Sequence, residues 1–156
     1  MNGLLNLGKI LLVGLLILLL VGIVKAGRRE VDFSELTAKV LEQLEPEKMQ
    51  QGDELLLRRL YGLNGDELEH WVLYTARDNM DVEEVLLLEV KSEEQIDAAY
   101  KAAEKRIEIQ KKNFEGYGPK QLQLIAKNVL RVEGPYMLFV IYEDSETVKT
   151  AFLRSL

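Results

Sequence analysis

The chain has 156 residues, with 20 Lys+Arg against 26 Asp+Glu for a formal charge of −6, and a 47% hydrophobic fraction weighted toward its N-terminus. Without residues 1–26, the remaining 130 carry 18 basic and 26 acidic side chains, a charge of −8, which argues against nucleic acid as a partner because phosphates demand a basic patch. The absence of cysteine excludes disulfides, thiol nucleophiles, thiolate metal sites and a lipid-bearing N-terminal cysteine, and a single histidine, His70, narrows the catalytic choices further.

Ile10 to Val24 reads ILLVGLLILLLVGIV, fifteen residues without a charge or a hydrogen-bonding side chain. As a helix they cover about 22 Å, short of the ~30 Å hydrocarbon core. Counting from Leu4 to Ala26 gives 23 residues, or about 35 Å, if the Lys9 ammonium snorkels toward the headgroups. The expectation is a single transmembrane helix within an anchor unit of residues 1–29, with the lipid bilayer as its partner through residues 4–26. A cleaved signal peptide is the rival, since Lys9 can serve as its charged start and Val24-Lys25-Ala26 offers small residues at the two positions a signal peptidase reads. The length of the apolar run and the charges Lys25, Arg28 and Arg29 just beyond it favour retention. Set against Lys9 and the α-amino group, those three charges favour a cytoplasmic C-terminal domain by a margin of one.

Residues 30–156 read as one soluble α+β domain. Phe33, Leu36, Val40, Leu41 and Leu44 fall on one helical face, capped by Asp32 or Ser34 and ended by Pro46. Glu47 to Gly52 is a polar connection. Asp53 caps a helix from Glu54 to Tyr61, which stops at Gly62. After the Asn64-Gly65 turn the period becomes extended: Leu68 to Ala76 is a strand, Arg77-Asp78-Asn79 turns, and Glu84 to Val90 is its antiparallel partner. Ser92 and Gln95 form a capping box that opens a long helix with Ile96, Tyr100, Ala103, Ile107 and Phe114 facing inward, ending at Gly116. Pro119 begins a short helix to about Lys127. The strand Val129 to Val132, a turn at Glu133-Gly134-Pro135 and the strand Tyr136 to Tyr142 follow, and Asp144 or Ser145 caps a final helix. The run YMLFVIY suggests a central strand, covered on both faces or packed on one and partly shielded on the other.

Residues 86–100 laid over 138–152 repeat strand, acidic cap and helix in step. The simplest architecture is therefore two strand–strand–helix units: a four-stranded, mainly antiparallel sheet with its helices packed on one face.

The stretch LRRLYGLNGDELEHWVLYTARDNMDVEEVLLLEV, then EKRIEIQKKNFEGYGPKQ and GPYMLFVIYED, resembles a family catalogued as domain of unknown function 4358. The matching residues are Tyr61, Gly62, Tyr74, Met80, Glu83, Glu84, Arg106, Gln110, Phe114, Tyr117, Gly134 and Tyr136, over about residues 54–156. The resemblance implies an N-terminally anchored protein of Gram-positive bacteria, usually with an extracytoplasmic domain, and no known activity. Many members carry a lipid-modified cysteine; this chain has none, so its apolar segment must itself be the anchor. This outweighs the one-charge margin and turns the expected topology outward, with a cytoplasmic-facing domain as the alternative.

Arg106, Gln110 and Phe114 lie on successive helical turns with Tyr117 just beyond, a strip that could recognise a carboxylate, phosphate or sugar through bidentate guanidinium donors and an aromatic plate. The structural reading, which we favour, has Phe114 and Tyr117 closing the core and Arg106 pairing with Glu83 or Glu84 at the sheet edge. Asp78, Asn79, Asp81, Glu83 and Glu84 crowd one turn, but Met80 occupies a position where a calcium loop needs a carboxylate, so a solvated acidic turn is expected. His70 lacks a serine free to act as its nucleophile, since Ser34, Ser92 and Ser145 read as helix caps. No catalytic residue, metal ligand or cofactor site is expected. The functional expectation is a membrane-tethered, noncatalytic interaction module of the bacterial cell envelope, with an envelope protein or cell-wall component as partner. The alternative is an envelope hydrolase that uses carboxylates such as Glu83 and Glu84.

Overall fold

A computed structural model describes Lys9, residues 12–16 and residues 31–156. The chain divides into two units, Met1–Val31 and Asp32–Leu156. Of the first, residues 12–16 are helical, with Leu12, Val13, Leu15 and Leu16 exposed. Among the described residues no helix is long and apolar enough to cross a membrane. The expected span over residues 4–26 lies outside the described residues apart from Lys9 and residues 12–16.

The second unit is an α+β domain. Its helices are α1 (Phe33–Leu41), α2 (Glu54–Tyr61), α3 (Glu93–Phe114), α4 (Pro119–Ala126) and α5 (Ser145–Arg154). The strands are β1 (Met49–Gln51), β2 (His70–Ala76), β3 (Glu84–Glu89), β4 (Val129–Glu133) and β5 (Tyr136–Ile141), paired antiparallel throughout in the order β1-β2-β3-β5-β4.

Helix boundaries follow local chemistry. The Asp32 carboxylate accepts from the Ser34 and Glu35 amides at 2.8 and 3.3 Å, and Asp53 accepts from Leu56 N at 2.8 Å, each satisfying donors that a helix start leaves unpaired. The Gln95 side chain reaches back to the amides of Lys91 and Ser92 at 2.9 and 3.2 Å. Asp144 caps α5 through Thr147 N and Oγ1 at 3.2 and 2.7 Å. Gly62 ends α2 at φ 69°, a left-handed conformation that costs a side-chain-bearing residue and fixes where Tyr61, the last helical residue, points.

Three expectations are corrected. The sheet has five strands, because Met49–Gln51, read as a polar connection, pairs with Tyr74–Ala76; three residues are too few to show a period, and the partner strand supplies the hydrogen bonds. The helices cover both faces. Leu86, Leu88, Met137, Phe139 and Ile141 share a core with Leu57 and Tyr61 of α2, Ala99, Ala103, Ile107 and Phe114 of α3, and Ile125 of α4. The alternate residues Val85, Leu87, Leu138 and Val140 are equally buried and face the other way. There they meet α5, which packs on β4, β5 and α1, bringing Leu36, Val40, Val148 and Phe152 into a second core. β5 is buried at all six positions. Tyr100, expected to face inward, is 38% exposed, and Ala99 takes the core position.

The 86–100 and 138–152 echo has a structural counterpart. Both stretches run strand, cap, helix, yet the aligned residues Leu86 and Leu138 face opposite sides of the sheet, each toward the helix that follows its own strand.

If the α1/α5 layer is a true core, Phe152→Ala should lower unfolding free energy by about 3–5 kcal/mol, the cost of a large cavity. Chemical denaturation of the variant checks this, and a loss below about 1 kcal/mol would mean that layer is peripheral.

Candidate functional site

Glu84 opens β3, the middle strand of the sheet, in register with Thr75 and Ile141. By alternation its side chain shares the α2/α3 face with Leu86 and Leu88, and it is only 1% exposed. A carboxylate buried so deeply must be paired and hydrogen-bonded. Arg106 of α3 meets it with a guanidinium fork: Nε donates to Oε1 and Oε2 at 2.9 and 3.1 Å, and Nη2 donates to Oε2 at 2.6 Å. Gln110, one turn on, donates from Nε2 to Oε2 at 3.2 Å, and the Tyr61 hydroxyl donates to Oε1. Tyr61 is held by its own packing, edge-on to Phe139 with ring centroids 6.2 Å apart. One charge thus ties together β3, α2 and α3.

The electrostatics follow from this enclosure. Burial, then the charge and hydrogen bond of Glu84, push the Tyr61 phenol well above its ordinary value. Burial by itself would lower the Arg106 pKa, but the hydrogen bonds and charge of Glu84 reverse this and leave it raised. Arg106 is therefore a permanent cation committed to Glu84.

Above this network lies a cleft of about 510 Å³. Its walls are the start of β3, the Arg77–Val82 turn, the end of β2, and the far end of α3 with Tyr117. All four residues of the expected strip, Arg106, Gln110, Phe114 and Tyr117, line it, but in different roles. Arg106 and Gln110 are spent on Glu84, and Phe114 is buried in the α2/α3/α4 core. Tyr117 was expected to close the core with Phe114; instead it stands 61% exposed, its ring 5.7 Å from that of Phe114. Gly116 at φ 88° turns the chain out of α3, and Gly118 lies where a Cβ would meet Phe114 Cδ1 at 2.7 Å, so the backbone doubles back tightly and leaves Tyr117 outside. Arg106 pairs with Glu84 and not Glu83, and it does so at the end of the central strand, not at a sheet edge, since β1 and β4 are the edges.

Sequence spacing missed Tyr61, twenty-three positions from Glu84, and the cleft residues Arg59, Gln50 and Asn113. Nothing local signals them; they meet only through the fold. Arg77 also borders the cleft, but its Nε and Nη2 donate to the Met49 and Glu47 carbonyls at 2.8 Å each. Among the described residues no cluster of three or more His, Asp or Glu could hold a metal ion.

At the opposite end of the sheet, on the other face, His70, Glu89 and Tyr136 stand in one cross-strand row. His70 Nδ1 lies 3.0 Å from Glu89 Oε2, the Tyr136 hydroxyl donates to Glu89 Oε1 at 3.1 Å, and Phe33 stacks on the imidazole at 5.2 Å.

The family described as domain of unknown function (DUF4358) matches residues 42–142, about two thirds of the chain. The chain belongs to this family. The match begins before β1 and ends just after β5, so the Glu84 network and its cleft lie inside it. No curated protein and no solved structure shows a significant match.

Two variants test the network. Arg106→Ala strands a buried carboxylate and should lower stability by about 3–5 kcal/mol, more than a surface pair would contribute. Tyr61→Phe should cost about 1–3 kcal/mol at neutral pH. Because the folded state holds the Tyr61 phenol above its ordinary value of 10.0, its contribution is complete below pH 10 and is lost as pH rises further and the unfolded chain ionises. Urea melts from pH 8 to 11 should therefore fall off less steeply above pH 10 for Tyr61→Phe than for the parent, and parallel curves would refute the assignment.

Proposed function

We propose that this chain is a noncatalytic interaction module of the bacterial cell envelope, tethered by residues 4–26 as a single-pass helix with its folded domain outside the cell. The observation that carries the noncatalytic reading is the state of Glu84. Its two oxygens accept from Tyr61, Arg106 and Gln110, so the carboxylate's acceptor sites are spent on the fold and none is left for a substrate. Its neighbour Glu83 accepts from the Val82 amide at 3.1 Å, and with Glu84 committed to Arg106 the two do not form a free Glu83–Glu84 pair, which weighs against that hydrolase alternative, since hydrolysis by carboxylates takes a pair with separated roles. The tether rests on the apolar length of residues 4–26 and on the flanking charges, and the outward topology on what the family resemblance implies.

The tether is tested by fractionation. The full chain should sediment with membranes and resist alkaline carbonate and high salt, because an apolar span is held by burial and not by charge. Protease added to intact protoplasts should remove the domain. A soluble product beginning near Gly27 would establish a cleaved signal peptide, and protection of the domain would place it in the cytoplasm.

A further inference from the structure

The cleft above Glu84 is built for a neutral, hydroxyl-rich ligand, and we propose that it binds a glycan segment with Tyr117 as the stacking plate. The proposal rests on the envelope-module reading, which sets the domain among cell-surface polysaccharides, and gives that module its ligand class.

Three ligand chemistries suit an aromatic beside polar groups: carboxylate, phosphate and sugar. The arginines decide among them. Arg106 is committed to Glu84, and Arg77 is turned onto two backbone carbonyls, so neither presents a free fork to an anion; Arg59, exposed and without a hydrogen bond or ion pair to another described residue, is the one cleft guanidinium left open. Against the three arginines of the cleft stand the four carboxylates of Asp78, Asp81, Glu83 and Glu84, and the resulting local field repels an anion. Beside Arg59 and Asp81, what the cleft offers freely is uncharged. Gln50, Asn79 and Asn113 line it from three separate elements, all exposed, and their amides make no hydrogen bond to another described residue. Each amide presents a donor pair and an acceptor, the complement of a hydroxyl, which both gives and accepts. Tyr117 adds a flat apolar face with a polar tip, matched to a pyranose ring with its C–H face and equatorial hydroxyls. Its backing is rigid, because Phe114 beneath it is buried at 3% exposure. The volume of about 510 Å³ lies within the span of small-ligand clefts.

The test uses the full chain in zwitterionic, sugar-free detergent micelles, titrated calorimetrically with N-acetylchitohexaose and with cellohexaose, and in parallel with inorganic phosphate and citrate. The expected result is saturable one-site binding of at least one saccharide, no saturable heat from either anion, and a loss of about tenfold in affinity for Tyr117→Ala. Asn113→Ala should also weaken binding, and both variants should melt with the parent, since each side chain is exposed. Absence of binding by both saccharides overturns the proposal, as does affinity unchanged in Tyr117→Ala. Saturable phosphate or citrate binding that disappears in Arg59→Ala would replace it with an anion site. A chain that stays in the membrane but binds neither saccharide loses the glycan assignment alone, whereas a chain recovered in soluble form loses the tether.

Discussion

A single buried charge sets the terms for one half of this domain. A carboxylate taken out of water costs several kcal/mol unless other groups replace its hydration, and Glu84 has that replacement only when α2 ends at Tyr61 and α3 passes with Arg106 and Gln110 one turn apart. Apolar packing could tolerate a sliding or rotated α3; the guanidinium fork cannot, because its two hydrogen-bond directions are fixed in a plane. The network is thus a register device as much as a source of stability, and its net contribution is smaller than the loss seen when one partner is removed.

Geometry at that network also explains why chemistry and recognition separate in the cleft. Glu84, Arg106, Gln110 and Arg77 are already satisfied by the fold, while the amides of Gln50, Asn79 and Asn113 and the phenol of Tyr117 are left available beside Arg59 and Asp81.

Much of the architecture was legible in the residues because it is local. Asp32, Asp53, Ser92 with Gln95, and Asp144 each mark a helix start through one side chain and the amides beside it, and Gly62 and Gly116 mark ends. The continuous apolar run of β5 pointed to a central strand, covered on both faces or packed on one and partly shielded on the other, but which helix covers which face depends on how α3 and α5 leave their strands, and no short window records that. β1 was invisible for a different reason: Met49-Gln50-Gln51 becomes a strand only because Tyr74 to Ala76 lies beside it. At the site, Arg106, Gln110 and Phe114 could be grouped from helical spacing, and the family resemblance rested on several of the same residues. The role of Tyr61, and the outward turn of Tyr117 after Gly116, arise from three-dimensional closure and left no periodic trace.

The order of strands has a kinetic side. Pairings β1–β2, β2–β3 and β4–β5 join neighbours along the chain, so their loop-closure entropy is small. Only β3–β5 joins segments roughly fifty residues apart, reaching across α3, α4 and β4. That seam is the most non-local pairing in the sheet, and a pairing of this kind slows how fast a sheet assembles. Substitutions along it, at Leu86 or Phe139, should slow folding, while those in the local turns should mainly hasten unfolding, a division that folding and unfolding rates would read directly. Glu84 stands at one end of the seam, where the last strand to arrive completes the enclosure of its charge.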